Sequence, residues 1–196
     1  MKQKMRVLAV GLLPVIFFAV IEDRFGTLWG LVAGMIFGVG EILWEYQMER
    51  RVSVVTWGGN GMLLVLGGVS LLTDSGIWFK LQPAVLEGVF AIFLWATWWM
   101  KKPILLLMLQ KQGSLPADGD ESLRPGAAEV LRQGFSALTL RMGVFFALHC
   151  GLAVWAALDW STGAWALLKG VGLTVSLLVY MVAESLILRY RLKSIA

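Results

Sequence analysis

Six apolar runs, each about long enough to cross a hydrocarbon layer, follow one another along the 196 residues, and most of the charges gather at the breaks between them. In lipid every backbone N–H and C=O must be satisfied within the segment, so a spanning helix needs about 20 mostly apolar residues, with a range of roughly 17–25. The runs are Met5–Ile21, Phe25–Trp44, Ser53–Thr73, Ala84–Met100, Met142–Leu158 and Ser161–Leu188, the last long enough to tilt. They predict an all-α polytopic membrane helix bundle: one integral membrane domain over residues 1–196, with six transmembrane helices arranged as three in-out-in hairpins. Composition agrees. The chain is 58% hydrophobic and 15% charged, against roughly 45–50% and about 25% for a soluble domain.

The first run resembles a signal peptide, with Lys2, Lys4 and Arg6 ahead of an apolar core. However, Glu22-Asp23-Arg24 follows without a small-x-small cleavage site, and an oppositely directed segment comes next. Orientation follows from the basic residues, because cytoplasmic loops collect Lys and Arg. Of the 17, 14 fall on the side holding both termini, while Arg24 and Lys80 fall on the other and Lys169 lies inside the last run. Both termini are therefore expected in the cytoplasm. Trp29, Trp78, Trp160 and Trp165 would mark the outer interface, and Trp44, Trp57, Trp95, Trp98 and Trp99 the inner one. If Met5–Ile21, which is short and contains Pro14, enters without crossing, the count falls to five and the N-terminus lies outside. The return helices start alike, with an aromatic before an apolar run at Trp29, Trp78 and Trp165. A threefold hairpin repeat would produce this likeness, and so in large part would aromatic belts alone.

Residues 101–141 read as a cytoplasmic loop with its own pieces. After Pro103, Ile104–Leu109 is too short to cross and is flanked by Lys101, Lys102 and Lys111, which predicts an interfacial amphipathic helix. Gly113–Gly126 is polar, with two prolines and Asp118-Gly119-Asp120-Glu121, and reads as a loop. Glu129–Leu140 forms an amphipathic helix leading to the fifth span.

Several functions are excluded by residue counts. One Cys and one His cannot build a disulfide or a zinc site of N and S ligands, so neither metal nor cofactor is expected. The net charge of +4 reflects basic residues at segment ends, which is topology rather than a nucleic-acid surface. Nucleophile-elbow, zincin, Walker and dinucleotide motifs do not occur, so no catalytic residue is assigned.

Candidate contact residues are the ionisable groups inside the runs, since such groups are costly in lipid and usually face a cavity or a partner. Gly30, Gly34 and Gly38 recur at four-residue spacing, which lets a neighbouring helix approach, and Glu41 and Glu45 project on that same face. Glu41 is either a cation or proton site or an interface charge, whereas Glu45 and Glu49 sit beside Arg50 and Arg51 as interfacial charges. Glu87 lies one turn past Pro83 and is a pairing carboxylate or a protonated hydrogen-bond donor. On the last run Lys169, Gly172, Ser176, Tyr180 and Ala183 make a polar stripe with Glu184 at its edge. Lys169 would bind an anionic head group, pair with a carboxylate such as Glu87, or snorkel to the interface. Asn60 reads as glue between helices. His149, beside Cys150 and with no positioned acid evident, reads as a packed residue whose helix close-packs through Gly143, Ala147 and Gly151.

Several strings, in order along most of the chain, resemble the intracellular septation protein A family, also called YciB, of bacterial inner-membrane proteins. They are Leu13-Pro14-Val15-Ile16-Phe17-Phe18, Gly67-Gly68, Trp78-Phe79-Lys80-Leu81-Gln82-Pro83, Trp99-Met100-Lys101-Lys102-Pro103-Ile104, Phe145-Phe146 with Cys150-Gly151-Leu152-Ala153, and Lys169-Gly170-Val171-Gly172-Leu173-Thr174. The chain departs from the family at Gln82, where a second lysine is usual, and at Val154, where an Asn is common. Glu41 and Glu45 are particular to it. The resemblance implies a non-enzymatic inner-membrane protein that contributes to envelope maintenance, septation and cell shape.

The expectation is a division- or envelope-associated factor working through membrane lipids, including anionic ones, and protein partners. Lys80, Lys169 and the Lys101-Lys102-Pro103 corner are its contact residues. A homodimer through Gly30, Gly34 and Gly38 is one arrangement. The alternative is a small transporter or lipid flippase whose path is lined by Glu41, Glu87, Lys169 and Glu184. A membrane enzyme is the least supported class.

Overall fold

Gly26 makes the first turn by itself. Its φ of 88° is a backbone conformation that side chains rarely adopt, and its N–H still donates to the carbonyl of Glu22 at 2.9 Å, so the chain reverses without an interposed loop. In the computed structural model, residues 18–111 and 126–194 are described, and among them every regular element is a helix. The helices are α1 (residues 18–25), α2 (Thr27–Glu49), α3 (Val54–Leu72), α4 (Ile77–Trp99), α5 (Ile104–Lys111), α6 (Ala127–Asp159) and α7 (Thr162–Lys193), which contains a π-helical turn at Leu168–Gly172. The protein is an all-α membrane helix bundle. α2, α4, α6 and α7 are each long and apolar enough to cross a membrane, and the apolar stretch of α3, Thr56–Leu72, is shorter. The residues before 18 and the polar stretch from 112 to 125 lie outside the described residues, and with them most of the first expected span and the expected loop.

Local chemistry sets the remaining turns. Arg50 ends α2 in the left-handed region at φ 56°, its N–H donating to the Tyr46 carbonyl. Ser53 caps α3, its hydroxyl accepting from the Thr56 N–H at 3.0 Å. The first turn of α4 leaves donors unsatisfied, and one of them, the Phe79 N–H, is taken by the hydroxyl of Ser70, a fully buried side chain. Lys101, at φ 56°, closes α4, where the Lys102 N–H reaches the Thr97 carbonyl. Pro103 then opens α5, the short helix expected at Ile104–Leu109 and found at Ile104–Lys111.

The larger boundary differences from the sequence expectation include the end of α2, which lies at Glu49 and not Trp44. α1 runs on through residue 25, so Glu22 is a helical residue and not a break. α4 begins at Ile77, not Ala84, and carries Pro83 inside it, which membrane helices tolerate when neighbours satisfy the freed backbone. The expected amphipathic helix at Glu129–Leu140 and the span at Met142–Leu158 are one continuous helix of 33 residues, about 50 Å long. Arg141, read as the break between them, is neutralised by a residue of α7 and so does not interrupt the helix. α7 continues to Lys193, past Leu188.

The chain divides into two compact units, Met1–Leu86 with Gly151–Leu173, and Glu87–Cys150 with Thr174–Ala196. In the first, Phe18, Leu31, Leu63, Phe79, Ala156, Ala157 and Trp165 form the core. Phe18 lies against Phe79 with ring centroids 4.4 Å apart and meets Trp165 edge-on at 5.8 Å. Trp165 is thus a core residue, 1% exposed, and not an interface marker. Gly30, Gly34 and Gly38 are buried against Glu22, Phe79 and the pair Asn60 and Leu63, so that face is filled within one chain rather than left open for a second copy. The second unit packs Phe90 on Phe146 and Phe145 on Tyr180, and Gly143 makes room for Trp95. Gly151, expected to close-pack, faces open space. Large apolar side chains such as Leu178, Val179, Val182 and Leu186 remain exposed along α7, as suits a helix bathed in lipid.

Candidate functional site

Four of the candidate contact residues, Lys80, Glu41, Glu87 and Glu184, are held in pairings that tie one helix to another. In the first unit, Lys80 near the start of α4 donates its ammonium to the Thr162 hydroxyl and lies 3.5 Å from Oε1 of Glu22. The Thr27 hydroxyl donates to that same oxygen at 3.3 Å, and the indole N–H of Trp165 donates to the Lys80 carbonyl at 3.1 Å. Both charged side chains are nearly buried, at 14% and 13% exposure, a placement that is costly for a charge without a partner. Glu22 was missed as a partner because it sat in what read as a charged break. The available signal was that Lys80, one of only two basic residues assigned to the outer side, needed a carboxylate on that side.

Glu41 of α2 accepts from the Asn60 side-chain amide at 3.1 Å, across the α2–α3 contact. Gly38, one turn earlier, lets Asn60 approach: a Cβ there would stand 3.2 Å from its oxygen. Glu45 accepts from the backbone N–H of Ser53 at 3.0 Å and so ties the end of α2 to the start of α3. Below Asn60, the Gln82 amide donates to the Gly59 carbonyl at 3.0 Å, joining α4 to α3.

In the second unit Glu87 meets His149. The imidazole Nδ1 is 3.0 Å from Oε2, and the residues are 4% and 6% exposed. His149 therefore does have a positioned acid, contrary to the sequence reading; the two are separated by 62 positions, and neither helix alone reveals it. Its other nitrogen, Nε2, is buried and has no hydrogen-bond partner among the described residues. Deeper in sequence, Glu184 of α7 takes two hydrogen bonds from Arg141 of α6, 2.6 Å from Nε and 2.5 Å from Nη2. This is the bidentate geometry in which a guanidinium binds a carboxylate most strongly. The Tyr180 hydroxyl is buried beside them.

The polar stripe of the last helix is met in part. Tyr180 packs on Phe145 and Glu184, expected at the stripe's edge, is buried, whereas Ala183, expected within it, is exposed. A π turn holds more residues than an α turn, so the constant angle assumed for the stripe does not hold across Leu168–Gly172. Lys169 itself lies within that turn, half-buried, next to the buried Gly170. Lys101 and Lys102 are exposed at the α4–α5 corner, apart from these pairings. Among the described residues no group of three or more His, Cys, Asp or Glu side chains gathers as a metal site would require.

The profile of the family described as intracellular septation protein A matches residues 5–194. The chain belongs to the intracellular septation protein A family. Among its relatives is the "Inner membrane-spanning protein YciB" of Paraburkholderia phymatum, 27% identical over 89% of this chain and 92% of the relative. A protein of the same name from Nitrosomonas eutropha is 23% identical over 90% of each chain. That of Leptothrix cholodnii is 28% identical over 79% of this chain and 66% of its own length. No solved structure matches. Three of the strings that resemble the septation protein A family fall at helix boundaries or at the π turn. Trp78–Pro83 is the entry to α4, Trp99–Ile104 is the closure of α4 with the start of α5, and Lys169–Thr174 contains most of the π turn.

Proposed function

We propose that this septation protein A family member is a non-enzymatic inner-membrane protein that serves septation and envelope maintenance through contacts its surface makes with lipids and protein partners. One observation carries the reading: Glu41, Glu87, Glu184 and Lys80 are each engaged by another residue of the same chain. Groups engaged in this way fix helix register, the best-attested use of buried polar pairs. The surface left for work is lipid-facing and interfacial. α5, with Lys101, Lys102 and Lys111 around an apolar face, suits the anionic cytoplasmic leaflet, where each basic residue adds about 1 kcal/mol of attraction. Six crossings with both termini in the cytoplasm place these lysines on that leaflet, in line with the distribution of 14 of 17 basic residues.

The test is rescue of cell division in a bacterium lacking its own family member, read as cell length and septum spacing at matched membrane abundance. Glu41→Gln is expected to rescue like the wild type, and Lys101→Glu with Lys102→Glu to fail. Failure of a stably inserted Glu41→Gln alongside normal rescue by the lysine reversals would overturn the reading in favour of a charge-lined path.

A further inference from the structure

Between the flank of α6 and the C-terminal half of α7, within the second unit, there is a cleft of about 110 Å³. Gly134 and Leu138 line it from α6 and Met181 from α7, and three charged groups border it: Arg141, Glu184 and Arg191. The carboxylate is already spent. Both oxygens of Glu184 accept from Arg141, while a guanidinium carries five N–H donors, so three of those on Arg141 are not used by Glu184. Arg191 stands two helical turns beyond Glu184 and is exposed. Two cations and one anion leave the cleft with a net charge of +1. The rest of its wall is largely apolar, and exposed apolar side chains such as Val182 and Leu186 continue beside it along α7.

An occupant that satisfies such a wall carries a negative head and a hydrocarbon tail. We propose that the cleft binds an anionic phospholipid, its phosphate held by Arg191 and by those Arg141 donors that neither Glu184 nor Tyr180 takes, and one acyl chain lying along Leu138 and Met181. Guanidinium forks match phosphate oxygens as they match carboxylates. A zwitterionic lipid brings its own cation to the same place and loses part of the attraction, and a free phosphate leaves the apolar wall uncovered. The assignment rests on the reading above that the protein works through lipid contacts, and it names the lipid class and the site.

The experiment uses the full chain, reconstituted in vesicles of phosphatidylglycerol and phosphatidylcholine in equal parts, then released in mild detergent for native mass spectrometry. The wild type is expected to retain one phosphatidylglycerol. Arg191→Gln is expected to weaken that retention about tenfold or more, the loss of one charge-assisted contact. Leu138→Trp, which fills the cleft, should act likewise, and Arg189→Gln, outside the cleft, should not. Arg191 is exposed, so its variant remains informative should Leu138→Trp fail to insert. Equal retention by the wild type and Arg191→Gln, equal retention of phosphatidylcholine, or displacement by inorganic phosphate would each overturn the proposal. Retention is read on purified protein and division in cells, so those results would remove the cleft and leave the proposed function to its own test.

Discussion

The guanidinium of Arg141 and the carboxylate of Glu184 meet through two hydrogen bonds across 43 positions of sequence, and this pairing lets a charged residue sit in the middle of a 33-residue helix. Without the other, each would be an uncompensated charge on a largely apolar helix, and such charges are costly beside lipid.

Arg141→Gln is therefore expected to destabilise the protein. Arg141 keeps 37% of its side chain exposed, so solvent softens the loss to about 1–3 kcal/mol. Arg141→Gln combined with Glu184→Gln should recover most of it, because no unpaired charge remains. Unfolding in mixed micelles with increasing denaturing detergent would show both, and a double variant as weak as the single one would contradict the account.

The glycines of α2 differ in what they face, which gives a matched pair of substitutions. A Cβ at Gly34 would lie 2.9 Å from the ring of Phe79, itself 2% exposed and held by Phe18, whereas a Cβ at Gly40 meets nothing within 4 Å. Gly34→Ala should cost about 1–3 kcal/mol through overpacking. Gly40→Ala should be neutral or stabilise by up to about 1 kcal/mol through helix propensity. The same unfolding assay separates them, and equal effects would show that the α2 face is not filled as described.

Glu87 and His149 should behave as a coupled pair. In a double-mutant cycle with Glu87→Gln and His149→Phe, the interaction energy is expected to be about 0.5–1.5 kcal/mol, the range of an intramolecular hydrogen bond. A value near zero would mean that their 3.0 Å contact contributes no stability.

Membrane sidedness is open to chemical labelling. With Cys150→Ser as background, Asp74→Cys in the α3–α4 turn should react with a membrane-impermeant maleimide from the periplasmic side. Arg51→Cys in the α2–α3 turn should react only after the membrane is opened. The reverse pattern would invert the topology read from the basic residues.

Much of the fold was legible because the lipid requirement acts locally: an uninterrupted apolar run such as that within Thr27–Glu49 can be little else than a helix. What stayed hidden depended on distant partners. The run from Ala127 to Asp159 looked broken at Arg141 because its counterion lies on another helix, and Glu22 looked like a terminator because Lys80 is 58 positions away. His149 seemed solitary for the same reason. Trp165 passed for a belt residue since sequence shows an aromatic at a segment end but not the Phe18 ring and Lys80 carbonyl that receive it. The stripe on the last helix was placed by a constant angle per residue, and no residue type announces the turn that departs from it.

That wide turn also fixes how the end of the chain can change length. Removing one residue from Leu168–Gly172 would let that stretch wind as a regular α-helix while the later residues keep their present faces, so the Glu184 carboxylate would stay on the side that meets Arg141. A one-residue deletion in the regular winding between Thr174 and Glu184 has no such slack and would turn Glu184 by about 100° away from Arg141.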